Sequence, residues 1–152
     1  MTRRGYHSWQ IEKARVVASR SRDPSTKCGA VIVRPDKSVC AEGYNGFPRA
    51  MPDVEVYYEE KREKHDRIIH AEMNALLAAR EPLQGYTIYT TTQPCKNCAK
   101  HIIAAGIQQV IWPTPNDPSQ VGIAERWAED FARARQLFDE CGVIYLEVSG
   151  DE

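Results

Sequence analysis

The chain has 152 residues, of which 42% are hydrophobic and 27% charged, and this composition predicts a soluble globular protein with one core. Its 20 lysines and arginines are balanced by 21 aspartates and glutamates, which argues against the basic surface of a nucleic-acid-binding protein. Five cysteines, no apolar signal peptide and no apolar run of ~20 residues argue against a disulfide framework and a membrane span, so we expect a cytoplasmic protein.

Hydrophobic patterning predicts helices and strands in the order α-β-β-α-β-α-β-α-β. The helices are expected at Tyr6–Ser21, Ala71–Arg80, Pro94–Ala105 and Ala124–Glu140. The strands are expected at Cys28–Val33, Val39–Tyr44, Tyr86–Thr91, Ile107–Trp112 and Val143–Val148. Strands that are joined through single helices form right-handed parallel crossovers. We therefore predict an α/β fold for one domain over residues 1–152, a three-layer α-β-α sandwich around a five-stranded mixed sheet.

Three further regions of the sequence give their own predictions. Residues 49–69 contain the highly charged run Tyr57–Arg67, which predicts a solvated helical segment or an ordered flap, with His65 on the surface. In the last helix, the spacing predicts that five side chains face the core, those of Trp127, Phe131, Ala134, Leu137 and Phe138. Asn45 and Gly46 follow the second strand, either as a simple type I′ turn or as a loop that presents Asn45.

Three metal-binding side chains follow a tight spacing: His70, and then Cys95 and Cys98 within Pro-Cys-x-x-Cys. Zinc prefers thiolate and imidazole ligands, and three protein ligands leave its fourth position for water. A lone Cys-x-x-Cys also occurs in redox pairs and in structural zinc sites. A structural site normally uses four protein ligands, and no other cysteine or histidine has a matching spacing. The pattern therefore favours a catalytic zinc site.

Glu72 lies two residues after His70, and in this position it can take a proton from the metal-bound water and pass it on. Two residues at i and i+2 diverge on a regular helix. His70 and Glu72 converge only where His70 is at or just before the N-cap, so we expect a helix to begin at about His70. Pro94 suits the first position of the next helix, which places Cys95 and Cys98 on one face of its first turn.

His-x-Glu followed by Pro-Cys-x-x-Cys is the signature of zinc-dependent nucleobase deaminases. The chain resembles the deoxycytidylate (dCMP) deaminases of the cytidine deaminase superfamily over nearly all of residues 20–148. The resemblance also rests on Arg20–Thr26, Gly29–Val33, the Gly43–Pro48 loop, Asn74-Ala75 and Cys98-Ala99-Lys100. It implies a cytidine deaminase-like fold and one catalytic zinc ion per chain.

The resemblance further implies hydrolysis of dCMP to dUMP and ammonia, which supplies dUMP for dTMP synthesis. Glu72 is then the proton carrier, which protonates N3 and the leaving amine. The Ala71 backbone N–H contacts the pyrimidine O2, and Asn45 binds the sugar. Ser25, Thr26 and Lys27 lie where the family holds the phosphate, although these residue types also suit an ordinary turn.

Members of this family are often homo-oligomers, dimers or hexamers, in which dCTP activates and dTTP inhibits. The resemblance therefore implies an allosteric loop at Gly43, Tyr44, Asn45, Gly46 and Phe47. The alternatives are a deaminase for another cytosine nucleotide, such as a 5-substituted dCMP or dCTP, or for cytidine. A tRNA adenosine deaminase or a non-catalytic nucleotide-binding module agrees less well with the balanced charge and with Glu72.

Overall fold

The fold is a five-stranded mixed sheet between two layers of helices, described for residues 2–152 by a computed structural model. The strands are β1 Gly29–Val33, β2 Val39–Tyr44, β3 Thr87–Thr90, β4 Gln109–Pro113 and β5 Ile144–Val148. The helices are α1 Tyr6–Ala18, α2 Glu55–Glu59, α3 Lys61–Arg67, α4 Ala71–Ala78, α5 Lys96–Ala104, α6 Ile123–Arg126 and α7 Ala128–Cys141. A short 3₁₀ helix spans Pro118–Gln120.

The strand order is β2-β1-β3-β4-β5. β1 runs antiparallel to both of its neighbours, whereas β3, β4 and β5 are parallel. The predicted hairpin therefore forms one side of the sheet and the crossover strands form the other. All five residues of β1 are buried, as expected for a strand with helices on both of its faces. The predicted three-layer sandwich and its mixed sheet are confirmed.

Each face of the sheet has its own apolar core. On one face, α1 packs Ile11 and Ala14 against Val31, Tyr89 and Ile111. On the other face, the core is formed by α4, α5 and α7 with the sheet. Its fully buried side chains include Ala71, Ala75, Ala99, Ile102, Trp112, Ala134 and Phe138. The second core is the one that supports the two central helices, α4 and α5.

Two glycines let a helix backbone approach the hairpin closely. A Cβ atom added at Gly29 would lie 2.1 Å from the carbonyl oxygen of Ala14 in α1. A Cβ atom added at Gly43 would lie 2.4 Å from the backbone nitrogen of Ala75 in α4. No real Cβ atom is that close to backbone, so these positions of α1 and α4 require glycine in the strands beneath them.

Several predicted boundaries and one predicted side-chain orientation differ from the structure. α1 ends at Ala18 and not at Ser21. The predicted helix over residues 124–140 is two helices with a break at Trp127, whose ring is 43% exposed although it was expected to face the core. Phe131 and Phe138 are buried as predicted. The Trp127 ring instead stacks on Phe131 from outside, with ring centroids 6.1 Å apart.

Residues 49–69 contain two short helices, α2 and α3, of which the second agrees with the predicted helical segment. His65 is exposed, as predicted. Within residues 2–152, the helices are too short or too polar for any of them to cross a membrane.

Candidate active site

His70, Cys95 and Cys98 meet at one point, where the N-termini of α4 and α5 come together. The Nδ1 atom of His70 lies 3.5 Å from the Sγ atom of Cys95 and 3.4 Å from that of Cys98. The three ligand atoms all lie within 4.8 Å of one another. His70 is the N-cap of α4, so the predicted start of this helix is confirmed and Glu72 falls in its first turn.

The start of α5 differs by two residues from the expectation. Cys95 is the N-cap of α5, and its sulfur accepts a hydrogen bond from the backbone nitrogen of Cys98 at 3.5 Å. The Cys95 sulfur therefore caps the helix, a role that a serine or aspartate side chain usually has. Pro94 lies before the N-cap and is not the first residue of the helix. Cys95 and Cys98 still share one face of the first turn, as predicted.

The charge state of the cluster prepares it for a metal. The hydrogen bond with Cys98, assisted by His70, lowers the pKa of the Cys95 thiol to about 4. The hydrogen bond with Cys95 raises the pKa of His70 to about 9. The hydrogen bond with Cys95, followed by burial, raises the pKa of Cys98. A metal ion bound by these three side chains would displace the protons that remain on them.

The donor set fits zinc. Two sulfur atoms and one imidazole nitrogen are the ligands that Zn²⁺ prefers, and a set of three protein ligands is typical of catalytic zinc. Within residues 2–152, this is the one group of three or more candidate metal ligands that converges in this way. The side chains of Cys95 and Cys98 are buried, which restricts the access of competing water to the sulfur atoms.

Glu72 is buried beside this cluster. Burial raises the pKa of its carboxyl group, and the nearby His70 opposes that shift. A raised pKa suits a group that must both accept and return a proton near neutral pH. Ala71, the first residue of α4, is also buried, and its backbone N–H belongs to the first turn, where a helix provides no partner for it.

Asn45 belongs to the loop after β2, and its side chain is held on three sides. Its Oδ1 atom accepts a hydrogen bond from the backbone nitrogen of Cys28 at 2.8 Å. Its Nδ2 atom donates to the carbonyl oxygen of Thr26 at 2.8 Å and to Asp23 at 3.3 Å. Asn45 is therefore part of a loop that is fixed by the segment before β1, which is not the arrangement of a simple hairpin turn.

Ser25, Thr26 and Lys27 are exposed at the same end of the sheet. The backbone N–H groups of Ser25 and Thr26 donate to Oδ1 of Asp23, at 2.9 and 3.3 Å. The ammonium group of Lys27 donates to the carbonyl oxygen of Ser21. The backbone donors of the predicted phosphate segment and the Ser25 hydroxyl are thus used by its own aspartate. What remains for a ligand is the Thr26 hydroxyl and the remaining hydrogens of the Lys27 ammonium group.

Sequence reasoning missed two residues of this region, Asp23 and Lys64. Their side chains form an ion pair with 2.7 Å between Nζ and Oδ2, and the Asp23 side chain is only 2% exposed. Lys64 belongs to α3, in the charged run that has no readable pattern. The sequence shows only that Asp23 precedes Pro24, and the need for a partner follows from the burial that the structure reveals.

A concave surface that is separate from the metal-ligand cluster lies beside the Gly43–Phe47 loop. It is a cleft of about 650 Å³, lined by Tyr44, Asn45, Gly46 and Phe47 of the loop together with Ser19, Arg20, Arg22, Pro48, Arg49, Met51, Asp53 and Tyr58. None of the three metal-ligand candidates lines this cleft. Gly43, the remaining residue of the predicted allosteric loop, packs against α4 instead.

Comparison with known proteins gives one consistent family. The family model described as "Cytidine and deoxycytidylate deaminase zinc-binding region" matches residues 5–114. An uncharacterised deaminase in the luxG 3′ region of Aliivibrio fischeri is 36% identical over 133 residues, which covers 88% of this chain and 86% of that protein. The deoxycytidylate deaminase of Mycobacterium phage D29 is 35% identical over 128 residues, which covers 74% of this chain and 98% of the phage protein.

Human deoxycytidylate deaminase is 31% identical over 134 residues, which covers 84% of this chain and 71% of the human protein. A dCMP deaminase from the cyanophage S-TIM5, crystallised with dCMP and dUMP, has the same fold, with a TM-score of 0.71 at 23% identity over 93% of this chain and 95% of that one. The residues that the family model matches include Glu72 and all three members of the cluster, His70, Cys95 and Cys98. The chain belongs to the zinc-binding cytidine and deoxycytidylate deaminase family.

Proposed function

We propose that the protein is a dCMP deaminase, which converts dCMP and water into dUMP and ammonia. The observation that carries the proposal is the buried carboxyl group of Glu72 beside the His70, Cys95 and Cys98 cluster. A purely structural metal site has no use for such an acid. Relatives named deoxycytidylate deaminase, from a phage and from human, support dCMP as the substrate.

Each residue of the site has a defined task in this reaction. His70, Cys95 and Cys98 would hold zinc, which lowers the pKa of a water molecule from about 15.7 to about 7 when it is bound. Glu72 takes one proton from the water that attacks C4 and delivers it to N3 of the pyrimidine. It then takes a second proton from the hydroxyl group now bonded to C4 and delivers it to the amine, which leaves as ammonia when the C4–N bond breaks. The backbone N–H of Ala71 donates to the pyrimidine O2. Asn45 binds the sugar through Oδ1, which can accept a second hydrogen bond, because its Nδ2 atom already donates within the loop.

The phosphate contacts that we propose are the side chains of Ser25, Thr26 and Lys27. They are exposed at the end of the sheet where Asn45 lies, and a dianionic phosphate requires hydroxyl and ammonium donors. The Ser25 hydroxyl donates to Asp23 in the structure and would have to turn toward the phosphate. The backbone N–H groups do not contribute because Asp23 accepts their hydrogen bonds. This observation favours one alternative, a nucleoside such as deoxycytidine as the substrate, since a nucleoside needs no phosphate contact.

One assay tests the proposal against its alternatives. Ammonia release is measured from the zinc-loaded protein with dCMP, deoxycytidine, dCTP and a 5-substituted dCMP in parallel. We expect rapid turnover of dCMP, and a Lys27→Ala variant with a raised KM for dCMP. Equal turnover of deoxycytidine, unaffected by Lys27→Ala, would contradict the phosphate contacts. No turnover of any of the four would contradict the deaminase itself.

We further propose that the cleft beside the Gly43–Phe47 loop is the effector site. Arg20, Arg22 and Arg49 line it, and guanidinium groups suit the triphosphates of dCTP and dTTP. Arg22 also pairs with Asp53 at 3.4 Å, a surface ion pair that a triphosphate can replace. Calorimetry with dCTP and dTTP should show binding that Arg49→Ala weakens, and unchanged binding would contradict this site.

We further propose that the protein is cytoplasmic and forms a homo-oligomer, either a dimer or a hexamer. All five of its cysteines are free thiols, as suits a reducing compartment. Exposed apolar side chains such as Trp9 and Val16 on α1 and Ile144 on β5 offer surface for contacts between subunits. Light scattering at several protein concentrations measures the mass, and a monomer at all of them would contradict the assembly.

A further inference from the structure

Asp23 is a buried carboxylate at the end of the sheet where the proposed nucleotide contacts lie. Its Oδ1 atom accepts hydrogen bonds from the backbone nitrogen and the hydroxyl of Ser25, both at 2.9 Å, and from the backbone nitrogen of Thr26. Its Oδ2 atom accepts from Nδ2 of Asn45. Asp23 therefore sets the turn that carries Ser25 and Thr26 and the orientation of the Asn45 amide.

Lys64 of α3 supplies the charge that this carboxylate needs. Its ammonium nitrogen lies 2.7 Å from Oδ2 of Asp23 and 3.0 Å from the hydroxyl oxygen of Ser25. Burial raises the pKa of Asp23, whereas the hydrogen bonds from Lys64 and Ser25 bring it below its usual value. A buried carboxylate without its partner would be unfavourable and would move or take up a proton.

The segment that carries Lys64 is itself held in place at both ends. The Tyr58 ring of α2 stacks on Phe47, with 3.9 Å between centroids and 5° between planes. Ile69 and Gly46 exchange two backbone hydrogen bonds, at 3.1 and 2.9 Å. The side chain of Glu60 accepts from two backbone nitrogens at the start of α3. Lys64 thus reaches Asp23 from a supported helix.

We propose that Lys64 is a positioning residue of the nucleotide site, which acts through Asp23 on Asn45 and on the Ser25–Thr26 turn. This inference rests on the proposed function. Lys64 contacts no reacting atom, since the groups that bear on the pyrimidine are Glu72 and Ala71. Its removal should therefore weaken substrate binding and leave the chemical step nearly unchanged.

The test compares three single variants of the full-length, zinc-loaded protein. Lys64→Met keeps the apolar stem and removes the charge, Lys64→Arg keeps the charge, and Lys61→Met is the matched control at an exposed position of the same helix. We expect Lys64→Met to raise the KM for dCMP by about tenfold or more, with kcat within about threefold of wild type. Lys64→Arg should restore most of the affinity, and Lys61→Met should equal wild type.

A double variant tests the route through Asp23. Asp23→Asn is measured alone and in combination with Lys64→Met. The combination removes both charges, so its KM should rise less than the product of the two single effects. If Lys64→Met alone folds poorly, the double variant can replace it in the test, because it leaves no unpaired buried charge. Thermal unfolding and zinc content are measured for every variant.

The outcomes separate this inference from the proposed function. A wild-type protein that does not deaminate dCMP would contradict the proposed function. A wild-type protein that does, together with a Lys64→Met variant of unchanged KM, would overturn the role of Lys64 alone. The role of Lys64 would also be overturned if Lys64→Met lowered kcat alone, or if the effects of Lys64→Met and Asp23→Asn on KM simply multiplied.

Discussion

Glu72 is the residue whose replacement should separate metal binding from turnover. Glu72→Gln keeps the size and the buried position of the side chain but cannot carry a proton. We expect the zinc content and the unfolding temperature of wild type, with turnover lower by about 10²- to 10⁴-fold. Ammonia release and metal analysis measure the two properties, and Glu140→Gln, at an exposed position of α7, is the control. A Glu72→Gln variant with full activity would remove Glu72 from the mechanism.

The lowered pKa of Asp23 predicts how its contribution to the stability of the fold depends on pH. Its pKa in the folded protein lies below the usual value of 3.8, so its ion pair stabilises the fold above that pH and loses its effect as the pH falls further. Asp23→Asn should therefore be less stable than wild type near neutral pH, and the difference should shrink as the pH falls below about 4. Urea unfolding at a series of pH values measures it, with the exposed Asp66→Asn as the control. A difference that does not change with pH would contradict the prediction.

At the scale of single residues, the sequence predicts the metal cluster well because short spacing fixes local geometry. His70 and Glu72 can converge only at a helix N-terminus, and Cys95 and Cys98 lie one turn apart wherever α5 begins. The pairing of Asp23 with Lys64 could not be predicted in this way. This ion pair joins a loop before β1 to a helix after β2. No local sequence pattern indicates which lysine of the charged run turns inward.

Gly43 of β2 decides how closely α4 can lie on the hairpin. Gly43→Ala would place a Cβ atom 2.4 Å from the backbone of Ala75, so α4 must move. We expect a loss of stability of about 1–3 kcal/mol and weaker zinc binding, since His70 is the N-cap of α4. Gly46→Ala is the control because its Cβ atom would meet nothing closer than 3.9 Å. Equal stability of the two variants, by urea unfolding, would contradict the close approach.

At the scale of the elements, the five strands and the main helices follow from periodicity and from glycine and proline positions. The errors lie where a tertiary contact overrides the local pattern. The start of α5 is a different kind of error, since a local cap, the sulfur of Cys95, places it past Pro94. Trp127 has the spacing of a core residue, but the helix breaks there and the ring packs on the outside of Phe131.

The whole molecule should depend on its metal. Three ligands from two helices are drawn together, so zinc that binds only the folded chain adds about 4 kcal/mol when its concentration is 1,000 times Kd. We expect chelation to lower the unfolding temperature by on the order of 10 °C, and added zinc to restore it. Calorimetry measures the shift, which Cys98→Ser should abolish and Cys141→Ser, at an exposed cysteine, should leave intact. A chelated protein that unfolds at the same temperature would contradict the coupling.

The overall topology was predictable because single helices between strands allow few arrangements. The position of residues 49–69 was not, since it depends on the stacking of Phe47 and Tyr58 and on the bridge between Gly46 and Ile69. Both contacts join residues whose sequence neighbours give no hint of a partner.

The burial of β1 has a consequence for the dynamics of the molecule. β1 is hydrogen-bonded to a strand on each side and covered by helices on both faces. Solvent deuterium can reach its amides only when the entire fold opens, whereas the amides of α2 and α3 can exchange through a local opening. The slowest amides of Ala30 and Ile32 thus report the global unfolding free energy, and those of α3 report the Lys64 contact separately. Hydrogen exchange can therefore follow the global stability and the Lys64–Asp23 contact separately in one experiment.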